Sequence, residues 1–139
     1  MVRSRARRLA QSGYRVYGLS ALAGSEDHVV NDVVANTPIT VTYCNIARCT
    51  RVVSSLRTGR PREVRQVGLD RGRLGFVTEI EDTLYFQDTQ QPYNPNADST
   101  PLPLSPYPAE LMSWKAWKTL HPVTYVYAVP VPESSRQSL

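Results

Sequence analysis

Apolar and polar side chains alternate over much of the chain, a pattern that indicates strands with one buried face. The alternation is clearest just before the middle of the chain, where the apolar positions are Ile39, Val41 and Tyr43. Such β-branched and aromatic side chains are common in strands. We therefore predict a strand over residues 39–44 whose core face carries these three residues and whose opposite face carries Cys44.

Both cysteines of the chain fall in this region, at the two ends of a predicted turn. Residues 45–48 form the turn, and residues 49–53 have the composition of a returning strand. Four residues are a common length for a hairpin loop. In such a hairpin Cys44 and Cys49 lie at the mouth of the loop, where their sulfur atoms can approach each other.

Further strands are predicted from the same alternation at residues 14–19, 64–69, 74–80, 83–88 and 124–129. The three strands between residues 64 and 88 are separated by short turns and so predict an antiparallel meander. Residues 54–63 are predicted to be a loop. Residues 21–34 are ambiguous, because their four valines fit either a helix or an extended buried segment. For that segment we favour a short helix or turn.

A helix is predicted near the C-terminus, beginning after Ser113 and ending at a proline. Serine is a favourable N-cap, because its hydroxyl accepts a hydrogen bond from the first turn. Three apolar side chains recur at three-residue spacing and share one face: Trp114, Trp117 and Leu120. We predict that all three belong to the core.

Residues 89–108 contain more than half of the eleven prolines in the chain. Proline lacks a backbone N–H group, which excludes both a helix and a central strand there. The segment is therefore predicted to be a long surface loop. A loop of that length is either functional or an irregular cover packed on the core.

These elements together predict a β-rich α+β fold. A curled, mainly antiparallel sheet is expected to pack against the C-terminal helix that carries the tryptophans. The chain has 139 residues, enough for a single hydrophobic core. We assign residues 1–12 to a disordered basic arm, residues 13–129 to one domain and residues 130–139 to a tail.

The net charge is +4, and fourteen of the sixteen basic residues are arginine. This charge is mild and no binding motif accompanies it, so nucleic acid is not a predicted partner. No apolar run reaches the length of a membrane helix, so no transmembrane segment is predicted. No secretory signal is visible, which predicts the cytoplasm, or the periplasm or export if the N-terminus is truncated. The oligomeric state is left open.

The two cysteines and a histidine are the candidate chemistry. Cys44, Cys49 and His28 could together bind zinc or copper(I), which thiolate and imidazole ligands suit. The residues expected around this site are Asp27, Asp32, Tyr43 and Arg48. The two thiols could instead form a reversible or a static disulfide, if the hairpin brings their Cα atoms within about 7 Å.

Three segments of the chain resemble a known family in combination. They are Asp-His-Val-Val-Asn-Asp at residues 27–32, Thr-Tyr-Cys at residues 42–44, and a Trp-x-x-Trp-Lys-x-x-His-Pro ending at residues 114–122. The chain resembles the bacterial and archaeal domain-of-unknown-function family numbered 3179. Its Cys-x-x-x-x-Cys spacing, in place of the family's Cys-x-x-Cys, looks like a side branch.

The resemblance covers about residues 14–128 and implies a single domain. It points to Cys44, Cys49 and His28 as the site, although the family's usual His-Glu pair is replaced here by Asp27-His28. Many relatives look exported or membrane-anchored. The resemblance implies no particular reaction.

Three classes of function are compatible with these residues. The leading hypothesis is a cysteine-centred site that binds a metal ion or small ligand, or that cycles between thiol and disulfide. The second is an enzyme that uses Cys44 and His28 on a small substrate held under the proline-rich loop. The third is a structural or interaction domain with a static disulfide.

Overall fold

The computed structural model describes residues 2–4, 15–23, 28–57, 60–70, 75–80, 83–93 and 104–127. Its helices are α1 (Leu19–Leu22) and α2 (Trp114–Leu120). The strands of the first half are β1 (Val2–Ser4), β2 (Arg15–Tyr17), β3 (Val29–Val34), β4 (Thr37–Cys44), β5 (Cys49–Ser54), β6 (Leu56–Arg57) and β7 (Arg60–Pro61). Those of the second half are β8 (Arg65–Asp70), β9 (Gly75–Ile80), β10 (Thr83–Phe86), β11 (Ala109–Leu111) and β12 (Tyr125–Tyr127).

The described strands are divided among several sheets. Their orders are β11-β1-β2-β12, β3-β4-β5, β10-β9-β8 and β6-β7. Neighbouring strands run antiparallel, except that β12 runs parallel to β2. The predicted class, a β-rich α+β fold with antiparallel sheets and a C-terminal helix that carries both tryptophans, is confirmed.

The central strand of the sheet β3-β4-β5 is covered on both faces. One face belongs to a core with β2 and α1, whose buried members are Tyr17, Leu22, Val30, Val34, Ile39, Val41 and Val52. The other face belongs to a second core, whose buried members are Val53, Val64, Ile80, Tyr85 and Leu104. The predicted core face of β4 is confirmed, but the opposite face is covered as well, because Thr40, Thr42 and Cys44 are buried.

Hydrogen bonds allow the threonines of β4 to be buried, as buried polar groups require. The Thr40 hydroxyl donates to Asn31 Oδ1 at 2.7 Å. The same Asn31 amide accepts from the Val64 N–H at 3.2 Å and donates to the Val64 carbonyl oxygen at 2.9 Å. The Asn31 side chain thus bonds to both the N–H and the carbonyl oxygen of Val64, as the backbone of a neighbouring strand would.

Residues 29–34 of the segment for which a helix or turn was favoured form strand β3 instead, so the prediction is wrong there. Residues 21 and 22 belong to helix α1, and residues 24–27 lie outside the described residues. The valines of β3 are β-branched and fit a strand that pairs with β4. The connection from β3 to β4 is Ala35-Asn36, in which both residues have positive φ, 48° and 61°. Two consecutive positive φ angles are typical of a type I′ hairpin turn, which holds the strands in register.

Ala35 adopts a backbone conformation that disfavours residues with a side chain. The left-handed region costs such a residue about 1–2 kcal/mol. We expect Ala35→Gly to raise the free energy of unfolding by about 1 kcal/mol, because glycine adopts this conformation freely. Urea denaturation followed by circular dichroism would measure the change.

The matched control is Ala47→Gly in the turn between β4 and β5. Ala47 is not among the residues with positive φ, so glycine there should leave stability unchanged or lower it. Stabilisation by both substitutions, or by neither, would contradict the strained turn at Ala35.

The predicted meander is confirmed in the second half of the chain, since β8, β9 and β10 pair in sequence order and run antiparallel. The register between β8 and β9 shifts at a bulge between Gln66 and Gly68. The predicted loop at residues 54–63 contains the short hairpin of β6 and β7.

The described parts of the proline-rich segment pack on the sheets. Residues 104–107 lie along the edge of β5, where the Tyr107 N–H donates to the Val52 carbonyl oxygen at 2.9 Å. Leu104 is buried in the second core. Residues 89–93 return beside β10. These parts form a cover on the core, one of the two predicted alternatives, and the residues between them lie outside the described part.

Helix α2 begins as predicted, because the Ser113 hydroxyl accepts a hydrogen bond from the first turn at 3.2 Å. Its apolar stripe is only partly buried. Trp117 is 1% exposed, whereas Trp114 is 38% and Leu120 62% exposed. The prediction that all three belong to the core is therefore wrong for the outer two. Trp114 and Leu120 lie about one turn before and one turn after Trp117 along the helix, and only the centre of the stripe is covered.

The ends of the chain are described only in part. Residues 2–4 of the predicted basic arm form β1, which lies between β2 and β11. Residues 5–14 and those after residue 127 lie outside the described residues. Among the helices described, none has the length and apolar character needed to cross a membrane.

Candidate functional site

The two cysteines form the last residue pair of the β4–β5 hairpin. Cys44 lies directly opposite Cys49 in the register of the two strands. Both side chains are free thiols. The predicted hairpin, with both cysteines at the mouth of a four-residue turn, is confirmed.

Backbone hydrogen bonds define the kind of pair that the cysteines form. The Tyr43 N–H donates to the His28 carbonyl oxygen at 2.9 Å, so the backbone groups of Tyr43 point towards β3. Successive residues of an antiparallel strand point to opposite sides, and those of Cys44 therefore point towards β5. Cys44 and Cys49 thus form a hydrogen-bonded pair, the type in which the Cα atoms are about 5.5 Å apart.

The two thiols differ in exposure. Cys44 is 1% exposed, and its sulfur accepts a hydrogen bond from the Ala47 N–H at 3.3 Å inside the turn. Cys49 is half-buried. Its burial raises the pKa of the Cys49 thiol above the ordinary value of 9.0, against the lowering effect of the Arg51 charge. Cys49 is therefore the reachable thiol of the pair, but it is not an activated thiolate.

A buried amide, Gln87, lies beside the pair. Gln87 is 3% exposed, and its Nε2 donates to the Thr42 hydroxyl at 2.9 Å and to the Cys49 carbonyl oxygen at 3.1 Å. Its Oε1 has no hydrogen-bond partner within the described part of the chain. Sequence reasoning missed this residue, although a polar side chain two positions after the buried Tyr85 was a usable signal.

Arg51 connects the same strand to the turn after β10. Its guanidinium donates through Nε at 3.0 Å, and also through Nη2, to the Asp88 carbonyl oxygen. The negative charge of the Asp88 carboxylate opposes the lowering effect of Arg51 and raises the pKa of the Cys49 thiol. Arg48, the other arginine near the pair, is exposed at the end of the turn and has a positive φ of 50°.

His28 is buried immediately before β3. Its ring Nδ1 lies 3.1 Å from the Tyr43 carbonyl oxygen. Tyr43 packs against the first core, on the opposite face of β4 from Cys44. Over the described ranges, no three His, Cys, Asp or Glu side chains are arranged to hold a metal ion. The predicted set of Cys44, Cys49 and His28 is not assembled there as a three-ligand group.

The two aspartates expected near His28 are placed differently from each other. The Asp32 carboxylate accepts from the Tyr17 hydroxyl at 2.6 Å and lies 3.5 Å from Arg15 Nη1. Asp32 thus joins β3 to β2. Asp27 lies outside the described residues.

A cleft of about 260 Å³ opens at the outer edge of β5. Its lining begins at Thr50, the residue that follows Cys49. After Tyr107 the chain moves away from the edge of β5 and pairs with β1 as strand β11. The cleft lies where these two paths separate. The residues that line it are Thr50, Arg51, Val52, Val53, Gln90, Pro106, Tyr107, Ala109, Glu110 and Leu111. Arg51 is therefore both a wall of the cleft and a near neighbour of Cys49.

No family model, no curated protein and no solved structure matches the chain. The resemblance to the family numbered 3179 stays a prediction. What the chain does is inferred from its own residues.

Proposed function

We propose that Cys44 and Cys49 form a reversible thiol–disulfide pair, which is oxidised by disulfide-bearing molecules and reduced by thiols. The observation that carries the proposal is the direct opposition of the two free thiols across β4 and β5. A Cα separation of about 5.5 Å falls inside the range that a disulfide spans. Two thiols need no third ligand for this chemistry, unlike a structural zinc site, which normally has four.

The unequal exposure of the two thiols indicates which of them reacts in each of the two steps. The Cys49 thiolate attacks one sulfur of an external disulfide, forms a mixed disulfide and releases the first thiol. The Cys44 thiolate then attacks the Cys49 sulfur, closes the internal disulfide and releases the second thiol. The protein loses two electrons and two protons, and the external disulfide gains them as two thiols.

The type of strand pair favours a reversible bond over a permanent one. Cβ atoms of directly opposed residues lie about 4.5–5.5 Å apart, and hydrogen-bonded pairs are at the wider end. A disulfide draws the Cβ atoms to about 3.8 Å. Oxidation therefore pulls β4 and β5 from their relaxed spacing, and disulfides formed under strain are the more easily reduced.

Incubation of the reduced protein with oxidised glutathione should produce one internal disulfide, seen by mass spectrometry as the loss of two hydrogen atoms and reversed by a dithiol. In Cys44→Ser the reaction should stop at a lasting glutathione adduct on Cys49. In Cys49→Ser it should be much slower, because Cys44 is buried. The rate should still rise with pH beyond 9.0, because burial raises the pKa of Cys49.

The two serine variants control each other, since each keeps one thiol of the same hairpin. Wild-type protein that gives only intermolecular disulfides, or that stays fully reduced, would contradict the proposal. A rate that levels off well below pH 9.0 would contradict the assignment of Cys49 as the attacking thiol.

A further inference from the structure

The outer edge of β5 carries backbone groups that no residue in the described part of the chain pairs. Cys49 and Arg51 direct their backbone groups towards β4, so those of Thr50 and Val52 point outward. The Val52 carbonyl oxygen accepts from the Tyr107 N–H. No hydrogen bond to the Thr50 N–H, the Thr50 carbonyl or the Val52 N–H is found within the described residues.

Thr50 and Val52, which carry these groups, both line the cleft beside β5. The cleft is lined by the edge of β5 on one side and by β11 on the other. Its volume of about 260 Å³ lies just below the range of pockets for drug-sized molecules. A short stretch of extended backbone fits such a space, because an open strand edge is the complement of another extended chain.

A charge on the cleft wall matches the same kind of ligand. Arg51 lines the cleft and supplies a positive group. A short peptide carries a carboxylate, which a guanidinium group can bind. Cys49 and Arg51 are alternate residues of β5 and share one face of the strand, so a ligand held by Arg51 lies on the side of the attacking sulfur.

We infer that this cleft binds the substrate of the thiol pair, an extended short peptide that bears a disulfide, by adding it to the edge of β5 at Thr50. The inference rests on the proposed function and assigns it a substrate class. The bound peptide disulfide reacts as already described: its sulfur is attacked by Cys49, and it leaves as two thiols.

The first test compares two oxidants, oxidised glutathione, which is a peptide disulfide, and hydroxyethyl disulfide, which has no peptide groups. With the wild-type protein, the rate of mixed-disulfide formation should saturate with glutathione disulfide and stay linear with hydroxyethyl disulfide. Thr50→Pro removes the outward N–H without removing a bond to β4. It should slow the reaction with the peptide disulfide about fivefold more than the reaction with hydroxyethyl disulfide, as expected for one lost hydrogen bond.

The second test needs no reaction and no variant. Titration of the reduced wild-type protein with S-methylglutathione should shift the amide resonances of Thr50 and Val52 in a saturable way. The amides of Asn31 and Val33, on the opposite edge of the same sheet, serve as the control and should not shift. This measurement decides the question if Thr50→Pro fails to fold.

The outcomes separate the two proposals. Linear rates with both oxidants, equal effects of Thr50→Pro on both, or no shift at Thr50 would overturn the peptide cleft and leave the thiol pair standing. If neither oxidant forms the internal disulfide, the proposed function fails. In that case the titration alone supports the cleft if Thr50 shifts and overturns it if Thr50 does not.

Discussion

Replacement of Trp117 by alanine is expected to lower the free energy of unfolding by about 3–5 kcal/mol. The Trp117 side chain is 1% exposed, so its removal leaves a cavity that the short helix α2 can fill only in part. A domain of this size is stable by about 5–15 kcal/mol, so the variant should be close to unfolding at room temperature. Urea denaturation followed by circular dichroism measures the change without relying on tryptophan fluorescence.

Trp114→Ala is the matched control, because it removes the same side chain from the same helix. Trp114 is 38% exposed, so the loss should be only about 1 kcal/mol. Similar losses of stability in the two variants would show that Trp117 and Trp114 do not differ in burial, which would contradict the arrangement described for α2.

Replacement of Asn31, which is itself exposed, by leucine is expected to lower the free energy of unfolding by about 1–2 kcal/mol. The Asn31 amide bonds to both backbone groups of Val64 and to the Thr40 hydroxyl, and these two partners are buried. Leucine has nearly the same size but leaves those groups unpaired, which costs more than the bonds themselves contribute. Urea denaturation by tryptophan fluorescence is suitable here, because both tryptophans are kept.

Two controls sharpen the Asn31 result. Asn31→Asp keeps the acceptor for Thr40 and for the Val64 N–H but loses the donor, so its loss should be smaller than that of leucine. Val33→Thr, at an exposed position of the same strand, should change stability by less than about 0.5 kcal/mol. A leucine variant as stable as Val33→Thr would rule out the side-chain bridge to Val64.

The fold class was predictable because the strand signals are local. Alternation identified β4, β5 and the meander of β8 to β10, and two short turns set their antiparallel pairing. The failures came where packing decides between local alternatives. Residues 29–34 have a helical spacing of valines as well as strand-forming side chains, and pairing with β4 selected the strand. The stripe of α2 could not reveal that only Trp117 would be covered.

The candidate site was predictable only as far as the hairpin reaches. The opposition of Cys44 and Cys49 follows from the turn length and could be read from the sequence. The position of His28 relative to them depends on the face of β4 that each residue contacts, and Gln87 comes from the turn after β10, far along the chain. Contacts of this range depend on how separate sheets pack, which no local pattern encodes.

The sheet β3-β4-β5 is built from one uninterrupted stretch, residues 29–54, through two tight turns. Contacts between near neighbours in sequence form early, because little loop-closure entropy opposes them. The segments that cover this sheet, including Gln87 and Leu104, are synthesised later. We therefore expect a newly made chain to bring its two sulfur atoms together before the segments that cover them have folded, and to be most sensitive to oxidants at that stage.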